Sequence, residues 1–282
     1  MPAVTLDASV ASGSNTTLVP NPLRPIVLPV IVDAESVPSI NTPVVIATNL
    51  TDKNLPPFDL NHARILYDSK LTGSSVTTTV GTNGNYTLIP NTAQRWTFVG
   101  TASNIITYLM LGNNDVDTVC INAHNLGASG ATVEVLYSLS DTGSFVSFAP
   151  TQTPAKDNSL MFHVATAVNA RRIQINITNA SGGVFVGSVY AGVALQMQRP
   201  FFSGHTPAVL ARQADYYSSM SESGNFIGVE VRRRALESEA SWSNLNDEWY
   251  RAYFVPFLDS AEVLPFIFAW NLLQYPTDVA YC

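Results

Sequence analysis

The chain has 282 residues, a net charge of −7, 46% hydrophobic residues and only 12% charged ones. The charged share is about half the ~25% of an ordinary globular protein, so Ser, Thr, Asn, Gln and Gly must cover the surface, which suits a protein packed into an assembly. The 14 basic residues are scattered, and the one basic run, Arg232–Arg233–Arg234, lies in a segment that ends in Glu237 and Glu239. That excludes nucleic acid as the main partner, because phosphate binding needs a basic patch or stripe. No stretch approaches the ~20 apolar residues of a membrane span. The two cysteines, Cys120 and Cys282, read as reduced thiols rather than a disulfide framework.

Residues 1–57 carry Pro2, Pro20, Pro22, Pro25, Pro29, Pro38, Pro43, Pro56 and Pro57, with apolar runs such as Ile26–Val27–Leu28 between them. Proline withholds the N–H that helices and central strands need, so this is an extended N-terminal arm. Its Val and Ile content is unlike that of a solvated tail and suggests that it orders on a neighbouring subunit.

Residues 58–198 read as short strands separated by turns: Ile65 and Tyr67, Trp96 and Phe98, and Ile105 to Leu111, with Asn83–Gly84–Asn85 as a turn. Gly112 to Asp115 reads as a loop. Asp117 to Tyr137 is expected to be a hairpin with one buried face. In it Val119, Ile121 and Ala123 alternate with Thr118, Cys120 and Asn122, and Val133, Val135 and Tyr137 restart after the turn. Ile173, Ile175 and Ile177 alternate in the same way, and Gly182–Gly183 turns the chain into a strand from Val184. Strands at this spacing predict an all-β sandwich or barrel.

Residues 199–282 change character and hold three of the four tryptophans. Phe226 to Val231 is expected as a strand and Ser218 to Gly224 as a polar loop. Ser243 or Asn244 is expected to cap a helix with Asp247 and Glu248 in its first turn, and Pro256 to end or kink it. Phe266 to Trp270 is a further strand. The segment reads as a smaller α+β domain. Trp242, Trp249, Tyr253, Phe257, Phe266 and Trp270 belong to an aromatic set too large for about 80 residues to bury with ease, so some of them are expected at a subunit interface.

The block Asp117…His124–Asn125–Leu126–Gly127…Gly130–Ala131–Thr132, the turn Asp141–Thr142–Gly143 and Arg171–Arg172–Ile173–Gln174–Ile175 together resemble the galactose-binding (discoidin-like) jelly roll. More narrowly they resemble its version in virion proteins of tailed bacteriophages. Ala63 to Asp68, Gly192 to Pro200, and Pro265 to Trp270 with Tyr275–Pro276 fit the same order, so the resemblance covers roughly residues 60–282. It implies a non-enzymatic structural subunit of the phage tail tip or baseplate, made in the host bacterial cytoplasm. Such a subunit would contact other tail proteins and copies of itself in a ring. The alternative is a host-surface carbohydrate-binding module.

No nucleophile motif accompanies His124, and His124, Asn125 and Gly127 read as a structural turn. Asp115 and Asp117 could offer oxygens to a calcium ion, but no further acidic ligand follows at a matching interval. No histidine pair has zinc-ligand spacing, and no cofactor is implied.

Overall fold

The computed structural model describes residues 4–9, 59–100, 102–201, 205–207 and 210–282. Most of the Pro-rich arm expected over residues 1–57 lies outside the described residues. The exception is β1 (Val4–Ser9), which pairs in parallel with a strand near the other end of the chain.

The strands that follow are β2 (Arg64–Leu66), β3 (Ser75–Thr78), β4 (Trp96–Val99), β5 (Asn104–His124), β6 (Thr132–Ser138), β7 (Val146–Ser147), β8 (Leu160–Thr178), β9 (Gly183–Gly192) and β10 (Leu195–Gln196). The fold is mainly β and jelly-roll-like, as expected, and two very long strands organise it. The first half of β5 pairs with β3 and with the second half of β8, which also pairs with β6. The second half of β5 pairs with β9 and with the first half of β8, and β9 pairs with β4. Each long strand thus passes from one layer of the sandwich to the other. Register shifts between Leu109 and Asn114 and between Val116 and Thr118 let β5 bend.

Side chains alternate across each layer. Tyr108, Val135, Ile173 and Ile175 of the first layer meet Trp96, Val119, Ile121, Phe162 and Val186 of the second in one buried core.

Two expectations are corrected. Asp117 to Tyr137 is not a hairpin, because β8 lies between β5 and β6. The residues after His124 carry the chain from the second layer to the first, and pairing is decided by β8, which is distant in sequence. Gly112 to Asp115 is not a loop either but part of β5, at its crossing between layers.

The second layer is covered on both sides. Val119 and Ile121 face the sandwich core, whereas Cys120, Met161 and Tyr190 on its other face pack against Leu66, Ile267, Ala269 and Val279. The single buried face expected for β5 is therefore wrong for its second half, where Thr118 to Asn122 are all fully buried. The covering layer is a sheet in the order β10–β2–β14–β15, where β14 is Ile267–Ala269 and β15 is Val279–Tyr281.

Beyond that sheet lies a second core, in which Ile65, Phe268 and Ala280 meet Trp242, Trp249, Phe254, Phe257 and Phe266. It is closed by β13 (Ser238–Ser243), the strand that β1 joins, and by a helix. Between β10 and β13 runs a two-stranded hairpin of β11 (Arg212–Met220) and β12 (Phe226–Leu236).

The helix begins at Asn246, whose side chain accepts from the Trp249 N–H at 3.1 Å, and not at Ser243 or Asn244. It runs through α1 (Asp247–Trp249), a π turn at Tyr250–Phe254 and α2 (Val255–Ala261). Pro256 neither ends nor breaks it. Proline has no N–H to donate, and the preceding turn widens so that the Val255 N–H reaches Tyr250 O, keeping the helix continuous.

Trp242, Trp249, Phe257 and Phe266 are buried in this core, so they do not form the subunit interface expected of them. Tyr253 and Trp270 are half-buried against the same core. About 80 residues bury so many rings because the first and last strands of the jelly-roll segment, β2 and β10, complete their sheet. Phe257→Ala is therefore expected to cost about 3–5 kcal/mol and to leave the oligomeric state unchanged, as read by urea denaturation and light scattering.

Candidate functional site

Among the described residues, no further sheet covers the outer face of the first layer. In register across it lie Thr77, Thr107, Gln174 and Leu136 in one row, and Ile105, Asn176 and Glu134 in the next. A third row holds Ser75, Leu109 and Arg172. All are half-buried or exposed, while their neighbours at odd steps fill the core.

The polar groups hold one another in place. Gln174 Nε2 donates to Thr107 Oγ1 at 3.1 Å, Ser103 Oγ donates to Asn176 Oδ1 at 3.0 Å, and Asn176 Nδ2 reaches Glu134 Oε2 at 3.4 Å. Arg172 closes one end, stacked over the Phe145 ring at 4.4 Å and donating to Ser140 O at 3.0 Å and to Gly143 O. Four strands at ~4.8 Å spacing give a platform about 14 Å across. It offers amides, hydroxyls, one carboxylate and one guanidinium between aliphatic patches.

The corner after β5 is held by side-chain to backbone hydrogen bonds. Asn125 Nδ2 donates to Gly183 O at 2.9 Å and its Oδ1 accepts from the Phe185 N–H at 2.8 Å, so the side chain continues the ladder to β9. Buried His124 accepts the Leu126 N–H on Nδ1 at 3.2 Å. Burial lowers its pKa to about 4 against the opposing Asp157 carboxylate, which fits neither a general base near neutral pH nor a charged ligand. Gly130 has φ +69°, the left-handed conformation expected of it. Gly127 has a different reason to be glycine: a Cβ there would lie 2.5 Å from the Lys156 backbone.

Asp115 and Asp117 do not share an ion site. Asp115 is exposed and accepts from Asn169 Nδ2 at 2.8 Å. Asp117 lies on the far side of the second layer and accepts from Thr118 Oγ1 at 2.7 Å and from the Ala194 N–H at 2.9 Å. Among the described residues no three His, Cys, Asp or Glu side chains gather as a metal site would require.

Sequence reading missed a buried polar relay between the second layer and the covering sheet. Arg64 of β2 is 1% exposed. Its Nε donates to His163 Nε2 at 3.4 Å and its Nη2 to Asp59 O at 3.0 Å. His163 Nδ1 lies 2.8 Å from Thr118 Oγ1, and the Thr118 hydroxyl binds Asp117. Burial, helped by the Arg64 charge, lowers the His163 pKa to about 4, and burial raises that of Asp117. No spacing rule finds such a group, because its members come from three distant segments, β2, β5 and β8.

Among the described residues, seven exposed large apolar side chains, Tyr216, Tyr217, Met220, Phe226, Ile227, Val229 and Val231, lie on the β11–β12 hairpin. Ile227, Val229 and Val231 alternate along β12, with Tyr216 opposite Val231. Tyr216 and Phe226 are 67% and 64% exposed.

No family model matches the sequence, and no curated protein matches it. Among solved structures, a pectin-binding carbohydrate-binding module is similar over 42% of this chain and 89% of its own, at 12% identity and a TM-score of 0.36. A CBM32 module from Clostridium perfringens in complex with GalNAc-β-1,3-galactose is similar over 45% of this chain and all of its own, at 11% identity and a TM-score of 0.39. A Ruminococcus gnavus GH29 fucosidase in complex with fucose is similar over 45% of this chain at 15% identity and a TM-score of 0.39; the chain spans only 27% of that protein. Such scores assign neither family nor activity.

Two measurements check this description. Asn125→Ala removes two hydrogen bonds at once and is expected to cost about 1–3 kcal/mol, seen as a lower urea midpoint with unchanged slope. The folded-state pKa values of His124 and His163, both about 4, lie below the ordinary 6.5. The unfolded chain therefore takes up these protons first. Stability is full above pH ~6.5 and is lost as the pH falls toward ~4, by roughly 3 kcal/mol per histidine at most. Asp117, with its raised pKa, acts with the opposite sign. Denaturation at pH 7, 5.5 and 4.5 reads the net effect.

Proposed function

We propose that the protein binds carbohydrate, and that the open face of β3, β5, β8 and β6 is the binding surface. One observation carries this reading. The second layer's outer face is apolar where a sheet covers it, whereas the first layer's outer face is an uncovered, cross-braced array of Gln174, Asn176, Thr107, Glu134 and Arg172. Side-chain amides and carboxylates present paired donors and acceptors that match neighbouring sugar hydroxyls. Their mutual hydrogen bonds reduce the ordering cost on binding. Ile105, Leu109 and Leu136 supply apolar ground for the C–H faces of a pyranose.

The test is a screen of the intact chain against bacterial surface polysaccharides and other glycans, followed by calorimetry on the best ligand. Gln174→Ala with Asn176→Ala is expected to weaken binding by at least about tenfold, since each lost bond is worth ~1 kcal/mol or more. Asn113→Ala, outside the face, is expected to leave affinity unchanged. Binding that survives the double substitution in a folded protein places the sugar elsewhere, and no binding to any glycan removes the reading.

A second reading, a structural subunit of a tailed-phage virion, draws on the motif order and on the β11–β12 hairpin. An isolated two-stranded hairpin with large apolar side chains in water is marginal alone, and a neighbouring tail protein or a second copy in a ring would cover it. The contact then lies on this hairpin and not on the aromatic core. Val229→Ser with Tyr216→Ser is expected to shift any oligomer toward monomer in light scattering while the melting temperature stays unchanged.

A further inference from the structure

The Arg64–His163–Thr118–Asp117 relay joins separate layers: β2 of the covering sheet to β5 and β8 of the sandwich. Its hydrogens have one consistent arrangement. Arg64 is always a donor, so His163 Nε2, at 3.4 Å, must be the acceptor and carry no proton. The ring proton is then on Nδ1 and points at Thr118 Oγ1, 2.8 Å away, whose own proton goes to Asp117 Oδ1 at 2.7 Å. Every member is buried or nearly so; the His163 side chain is 6% exposed and that of Asp117 15%.

We propose that this relay is an acid-released latch between the jelly roll and the four-stranded sheet. Protonation of His163 can only occur at Nε2, which turns the acceptor of the Arg64 bond into a second donor. It also sets two cations against each other in a buried space. Asp117 offsets this only in part: its backbone carbonyl favours the charged ring, but its Oδ1 is 3.9 Å from Nδ1 and already accepts from Thr118 and Ala194.

The other ionisable groups nearby are few. Asp59, beside Arg64 in the segment before β2, contributes its backbone carbonyl to Nη2, and His62 lies 3.9 Å from the Asp59 carboxylate. Cys120 of β5 adjoins Asp117 and is held as a thiol by burial. The sheet strands β14 and β15 bring Ile267, Ala269, Val279 and the partly buried phenol of Tyr281 to this interface. With Arg64 displaced, β2 loses its polar tether, and β2 is the strand on which β10 and β14 pair. The first layer contributes nothing to the relay and stays folded.

The experiment is amide hydrogen exchange on the intact chain at pH 7 and pH 4.5, corrected for intrinsic rates, with His163→Gln and His124→Gln. In the wild type, protection of β2, β10, β14 and β15 is expected to fall by at least roughly tenfold at pH 4.5, about one pK unit of coupling. Protection of β6 and of the second half of β8 is expected to hold. His163→Gln keeps an acceptor for Arg64 but does not titrate, and is expected to abolish the acid loss, whereas His124→Gln keeps it. The proposal is overturned if sheet and sandwich lose protection together, or if His163→Gln opens as the wild type does. Should that variant fail to fold, imidazole NMR of the wild type decides. Protonation of His163 in step with the loss of sheet protection supports the latch, and a sheet that opens while His163 stays neutral defeats it.

Discussion

The second half of β5 is buried on both sides, and the rest of the molecule follows from that constraint. A strand with one wet face can stand in a simple sandwich. A strand with Val119 and Ile121 on one side and Cys120 on the other needs a sheet over each face. The first layer covers one side and β10–β2–β14–β15 the other. Because two of those covering strands come from the ends of the jelly-roll segment and two from the C-terminal segment, sandwich and C-terminal unit cannot be separated at a point in the sequence without cutting a sheet.

The layering also sorts the chemistry. Between the first and second layers the contact is mostly hydrocarbon and ring surface, and the buried Tyr108 hydroxyl is paired with Thr87 Oγ1 at 2.8 Å. Between the second layer and the covering sheet a fully buried arginine must be accommodated. Its contact exists because the Asp59 carbonyl just before β2 and the His163 ring of β8 accept from it, with Thr118 of β5 holding that ring. Outside the first layer no described sheet lies, and the side chains are the amides and hydroxyls that the chain's low charge content already implied. The same strands β5 and β8 thus present an apolar surface, a polar relay and a wet platform at different points along their length.

Much of this was legible in the sequence, and the failures share a cause. Period-2 alternation found Ile173, Ile175 and Ile177 and identified the chain as mainly β, because side-chain alternation is a local property of an extended backbone. Asn125 and Gly130 were recognisable as corner residues for the same reason. The hairpin at Asp117 to Tyr137 failed because pairing is not local: β8, some forty residues on, competes for the same edge and wins. The aromatic residues were read as surplus because β2 and β10 were counted with another domain. Pro256 was read as an end or a kink, since the π turn that absorbs it leaves no mark on composition. The relay was invisible, since Arg64, Thr118 and His163 carry no common spacing.

The interleaving of the four-stranded sheet has a consequence for how the chain is made. The sandwich strands are all present once residue 192 has been synthesised, but β14 and β15 end at residues 269 and 281. At 5–20 residues per second, about 4–18 seconds separate the two events. During that interval the surface formed by Cys120, Met161 and Tyr190 has no β14 or β15 to cover it. The newborn sandwich therefore emerges with an apolar side that stays open until β14 and β15 have been made.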